Sequence, residues 1–167
     1  YDKGEMEAAK TAFEEAKLLR QDLERMNFCL GMIYYKKDLY EDAYKCFSEY
    51  TAHVQNQAEA YYYKGMCEAK LNMYEAAISS FKCALRYKDR DWIYYYKMYE
   101  FYMAMGEKQD AINSLTMVIE IGQRKPDYFE KRAALYAEIG DTFKQAEDLN
   151  ELAKLKGEPA KPETVNN

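Results

Sequence analysis

Written in rows of 34 residues beginning at Glu24, Ala58, Trp92 and Pro126, the chain falls into register with itself without a gap. Column 20 reads Ala43, Ala77, Ala111, Gln145, and column 24 reads Phe47, Phe81, Leu115, Leu149. Column 30 reads His53, Tyr87, Ile121, Leu155. Small residues recur where two helices approach closely, and large apolar ones recur beside them to fill the space. Column 15 holds Asp38, Asn72, Gly106 and Gly140, the residue types that turn a chain between helices. A repeat of this length is one helix pair, which cannot bury its apolar face alone and must stack on its neighbours. With only 7 Gly and 3 Pro in 167 residues, helix is favoured over a turn-rich β fold. The predicted class is all-α.

Cys29-Leu30-Gly31-x2-Tyr34…Ala43-x3-Phe47 and Tyr61-x3-Gly65…Ala77-x3-Phe81 resemble the tetratricopeptide repeat, and the resemblance covers residues 5 to 156. The departures are Lys64 in place of the motif's Leu, Tyr99 and Ala133 in place of its Gly, and Gln55, Asp89 and Gln123 where it closes on Pro. The resemblance implies a right-handed superhelix, a solenoid of antiparallel helix pairs. Its repeats would span residues 24–57, 58–91, 92–125 and 126–157, preceded by the second helix of a truncated repeat over 1–23. Gly4, Ala9, Phe13 and Ala16 fall in that repeat's turn and second-helix columns, so the sequence is expected to be a piece of a longer protein. Residues 158–167, rich in Pro and polar residues, are expected to form a flexible tail. The expected helix pairs are 25–37 with 41–54, 59–71 with 75–88, 93–105 with 109–122, and 127–139 with 143–156.

Several functions are disfavoured by composition. The net charge of −5 and the absence of a Lys/Arg cluster speak against nucleic acid and anionic lipid. No run approaches the ~18 apolar residues of a membrane span. Cys29, Cys46, Cys67 and Cys83 have no metal-ligand spacing and read as small buried hydrophobes, which points to a reducing, cytoplasmic setting, with two disulfide bridges as the alternative. The one histidine, His53, has no orienting carboxylate, and no nucleophile–base set or phosphate-cradling loop can be assembled. No enzyme activity, cofactor or metal is expected. A protein or peptide ligand is.

The resemblance also implies where that ligand would sit. In the family the first helix of each pair lines a concave groove through columns 2, 5, 9, 12 and 13. Here these are Arg25, Phe28, Met32, Tyr35 and Lys36; Glu59, Tyr62, Met66, Ala69 and Lys70; Ile93, Tyr96, Glu100, Met103 and Ala104; and Asp127, Glu130, Ala134, Ala137 and Glu138. The expected peptide-binding residues are Phe28, Met32, Tyr35, Lys36, Tyr62, Met66, Lys70, Tyr96, Glu100 and Met103. Of the tyrosine triplets 61–63 and 94–96, Tyr61 and Tyr95 are expected to pack between paired helices, while Tyr62 and Tyr96 face the groove. The groove is expected to be basic and apolar at its N-terminal end and acidic at the other. The family's Lys/Asn clamp for acidic chaperone tails would fall on Phe28, Met32, Tyr63, Ile93 and Lys97, and only Lys97 suits it. The compact acidic secretion chaperones of the same family match in size and charge but not in the truncated start. Self-association through end helices is the alternative to ligand binding.

Overall fold

The structure, a computed structural model, describes the backbone over residues 3–157 and the side chains of 15, 16 and 18–157. The described residues hold eight helices and no strand: α1 (Lys3–Lys36), α2 (Tyr40–His53), α3 (Ala58–Lys70), α4 (Tyr74–Tyr87), α5 (Trp92–Met105), α6 (Lys108–Glu120), α7 (Pro126–Glu138) and α8 (Thr142–Lys156). From Tyr40 onward every end lies within two residues of expectation. The expected tail over 158–167 and the side chains of Gly4, Ala9 and Phe13 lie outside the described residues.

The start of the chain differs from expectation. A separate helix over 1–23 requires a break before Glu24, but α1 runs through it without interruption. The reason is local: Leu18 to Arg25 reads LLRQDLER, nearly all strong helix formers, with no Gly or Pro to stop it.

The chain divides into two compact units, 1–88 and 89–167. In the first, α2 packs on α1, α4 on α3, and α3 on both α1 and α2. In the second, α6 packs on α5, α8 on α7, and α7 on α6. Every helix pair turns the same way. Asp38, Asn72, Gly106 and Gly140 adopt φ of 59, 61, 77 and 81°, the left-handed conformation that Gly, Asn and Asp tolerate best. The next residue's N–H then reaches back to the helix: Leu39 to Tyr34 O (3.0 Å), Met73 to Glu68 O (2.8 Å), Glu107 to Tyr102 O (2.9 Å) and Asp141 to Tyr136 O (2.9 Å). These bonds satisfy carbonyls that a helix end otherwise leaves open.

Inside each pair the close approach depends on matched sizes. A Cβ on Gly31 would stand 2.9 Å from the Phe47 ring, and one on Gly65 would stand 2.9 Å from the Phe81 ring. Ala43, Ala77 and Ala111 are completely buried, as are Phe47, Phe81 and Leu115. In the third repeat the sizes are exchanged: Tyr99 stands where the Gly was, and the smaller Leu115 faces it. The fourth repeat departs. Leu149 is exposed, because α8 is the last described helix and no described element follows to cover it. Column 30 does not fill the core as expected either, since His53, Tyr87 and Leu155 are exposed and Ile121 is half-buried.

Column 7 shows how the fold accepts a charge in place of Leu. Arg132 on α7 forms a two-pronged ion pair with the buried Asp148 on α8, Nε to Oδ2 at 2.8 Å and Nη2 to Oδ1 at 2.6 Å, and Nη1 donates to Thr116 Oγ1 at 2.9 Å. Lys64 lies 3.9 Å from the buried Glu68, to which the Ser80 hydroxyl donates at 2.6 Å. Burial raises the Glu68 carboxyl above its ordinary range, against the opposing pull of Ser80 and Lys64. Buried charges persist only when paired in this way.

Candidate functional site

In the first unit the inward positions of α1 and α3 form one ring cluster rather than an open apolar stripe. Phe28 meets Phe47 (5.8 Å between centroids) and Tyr50 (5.2 Å). Tyr35 meets Tyr63 (5.4 Å) and Tyr40 (5.7 Å), and Tyr63 stacks on Phe47 (5.7 Å). Tyr62 stands edge-on to Tyr63 (5.3 Å) and to Phe81 (5.5 Å). Tyr61, next along the helix, stacks on Tyr87 of α4 at 5.9 Å. Consecutive helical residues diverge by about 100°, so the three adjacent rings find three different partners.

Phe28, Met32, Tyr35, Tyr62 and Met66, expected to line the groove, are half-buried. Aromatic residues on both α2 and α4 fold over them. Burial, with Tyr62 close by, pushes the Tyr35 hydroxyl up to about 12, so it remains a neutral hydrogen-bond donor at physiological pH. Lys36 and Lys70 are exposed at the edge, and the Lys70 ammonium lies 5.7 Å from the centre of the Tyr40 ring. Arg25 and Phe28 also line an open cavity of about 460 Å³ with Gln21, Glu24, Tyr50, Val54 and Gln57.

In the second unit Tyr96 packs against Tyr99 (5.6 Å) and Tyr128 (5.4 Å) and is half-buried. Tyr94 is buried, and Tyr95 packs against the same core. Met103 is exposed, while Glu100 accepts a hydrogen bond from Lys97 at 2.7 Å. The expected acidic half is largely neutralised: Asp127 pairs with Lys131, and Glu138 with Lys108 at 2.8 Å. A cavity of about 600 Å³ between α7, α8 and the end of α6 is lined by Arg124, Arg132, Asp148 and Glu151, whose charges already pair with one another.

Of the cysteines, Cys67 is buried and its thiol is pushed up to about 12 by burial, whereas Cys29 is exposed, contrary to the reading of all four as buried hydrophobes. Among the described residues no group of His, Cys, Asp and Glu is placed to hold a metal ion. Nor is any described helix long and apolar enough to cross a membrane.

No family model matches the sequence, and no curated protein matches it. Solved structures do. The crystal structure of MamA superposes with a TM-score of 0.70 at 22% identity, covering 94% of this chain and 96% of that one. YrrB, described as a TPR protein with an unusual peptide-binding site, gives 0.67 at 18% identity, over 93% of this chain and 80% of its own. PcrH, crystallised in complex with the chaperone binding region of PopD, gives 0.58 at 18% identity, over 72% and 91%. At such identities the likeness speaks for the fold, and the fold of this chain is that of the tetratricopeptide repeat.

Proposed function

We propose that the chain is a non-enzymatic protein-interaction module that binds an extended or helical segment of a partner protein on the inward side of α1 and α3. The observation that carries this reading is the half-buried cluster of Tyr35, Tyr62 and Met66, edged by the exposed cations Lys36 and Lys70. Rigid rings with a polar tip and an adaptable Met suit peptide recognition. The fold supports it too, since YrrB and PcrH are by their descriptions a peptide-binding protein and a protein bound to another's segment. With Arg25, Lys36 and Lys70 around the rings, the preferred segment carries apolar anchors flanked by acidic residues. Tyr96, Glu100 and Met103 on α5 form a second contact set in the other unit.

Peptide-library selection followed by calorimetric titration tests this. Tyr62→Ala with Met66→Ala is expected to abolish binding of a selected peptide, with helicity checked by circular dichroism because Tyr62 also touches Phe81. Lys70→Glu should weaken it chiefly at low salt. Selected peptides without acidic residues, or binding that survives both variants in folded protein, would overturn the reading.

A further inference from the structure

Among the described residues the longest run of exposed apolar side chains is not on the inward faces but along α1. Leu19, Leu23, Met26 and Ile33 are 71, 53, 51 and 48% exposed, and Leu30 between them is half-buried. They recur at alternating steps of four and three residues, a narrow stripe of the kind two coiled helices share. At about 100° per residue the stripe lies roughly 150° round the helix from Phe28, Gly31 and Tyr35, so packing of α2 leaves it open. The same columns are covered in later repeats: Ala60 and Cys67, counterparts of Met26 and Ile33, are buried, as are Tyr128 and Leu135. Leu19 and Leu23 extend the stripe upstream of the first repeat, onto a stretch of helix that the later repeats lack. Contiguous apolar surface of this kind calls for a partner.

We propose that α1 carries an interaction surface that shares only Lys36 with the peptide face, a coiled-coil seam through which two copies of this chain pair antiparallel about a two-fold axis. The seam is complementary to itself in that orientation. Leu23 meets Met26 of the second copy, Leu19 meets Leu30, and the small Ala16 faces the large Ile33. Charge sets the direction. In the antiparallel pair the exposed Glu15 faces the exposed Lys36 of the second copy, twice by symmetry, and Arg20 faces Asn27. A parallel pair would instead ask Glu15 to meet Arg20, whose guanidinium already binds Glu24 (Nε to Oε1, 3.2 Å) and His53 (Nη2 to Nδ1, 2.9 Å). Among the described residues no like charges face each other across the antiparallel seam.

Sedimentation equilibrium over a concentration series decides. The chain should pass from monomer to dimer, and Leu23→Glu, which puts a charge in the seam, should raise the dimer dissociation constant by about tenfold or more with helicity unchanged. Glu15→Lys and Lys36→Glu should each weaken the dimer several-fold, and the two together should restore it. Lys36 also edges the peptide face, but Leu23 and Glu15 do not, so Leu23→Glu and Glu15→Lys let the two readings fail separately. A chain that stays monomeric throughout, a dimer indifferent to Leu23→Glu, or charge reversals that do not rescue each other would overturn the proposal.

Discussion

Gly65→Ala isolates the size-matching that holds each helix pair together, because two opposed terms act on one methyl group. In a helix interior Ala is favoured over Gly by about 0.8–1 kcal/mol, so on propensity alone the variant is more stable. The added Cβ, however, would stand 2.9 Å from Phe81 Cε2, 3.0 Å from Cδ2 and 3.2 Å from the Ala77 carbonyl oxygen. Phe81 is completely buried and the carbonyl belongs to the backbone of α4, so neither contact is relieved by a flexible chain end. Overpacking of this kind costs about 1–3 kcal/mol, and contact with both a buried ring and backbone puts it in the upper part of that range. The clash wins, and the net loss is about 1–2 kcal/mol.

The decisive measurement is a double-mutant cycle with Phe81→Leu, which creates at the second repeat the smaller partner that the third repeat has in Leu115. Phe81→Leu alone leaves a void and costs about 1–2 kcal/mol. Combined with Gly65→Ala, the methyl group occupies part of that void, so the double variant should be more stable than the sum of the singles by about 1 kcal/mol or more. Urea unfolding followed by far-ultraviolet circular dichroism, with the denaturant slope unchanged, gives the three values. Additivity within about 0.5 kcal/mol would show that the two side chains do not compete for the same space, and the size-matching account would fall.

Other substitutions probe the buried charges. Asp148→Asn should cost about 3 kcal/mol in urea unfolding by leaving Arg132 buried without its counter-ion. Arg132→Met with Asp148→Ser, the pair that the third repeat carries as Met98 and Ser114, should recover most of it. Glu68 titrates above its ordinary value of 4.5 because burial favours its protonated form. The folded chain therefore holds more protons than the unfolded one between that value and the raised one, and the Glu68 contribution to stability is full at low pH and declines as pH rises through the window. Glu68→Gln, which keeps an acceptor for Ser80, should remove that decline. Equal pH slopes in the two proteins would contradict the assignment.

What was legible in the sequence is what each repeat settles for itself. Asp38, Asn72, Gly106 and Gly140 share a column because one backbone conformation is needed there, and only a few residue types adopt it. Gly31 and Gly65 share theirs because a ring of fixed size sits opposite. The candidate site was less legible. Whether Tyr62 or Phe28 lies open depends on aromatic residues from α2 and α4, which a frame assigning faces to first helices alone does not weigh. Two of the acid neutralisations were readable as helix neighbours, Lys97 with Glu100 and Asp127 with Lys131. That of Glu138 by Lys108, on different helices, was not.

The first helix shows how a correct frame can hide a second pattern. Met26, Leu30 and Ile33 are apolar in columns 3, 7 and 10, where Tyr94, Met98 and Phe101 are also apolar and buried, so the repeat alone reads them as core. Their surroundings differ, however, because no described helix pair packs in front of α1 as α2 packs on α3 and α6 on α7. An unbroken α1 adds Leu19 and Leu23 to the same side, and five positions in a four-three rhythm are more than the end of a repeat stack requires. A face needed only to receive a neighbouring helix pair could stop with the repeat at Glu24. One that continues past it for another turn and more, at the spacing of a coiled coil and with Glu15 and Lys36 placed to face each other across a two-fold axis, is what the proposed pairing of two copies requires.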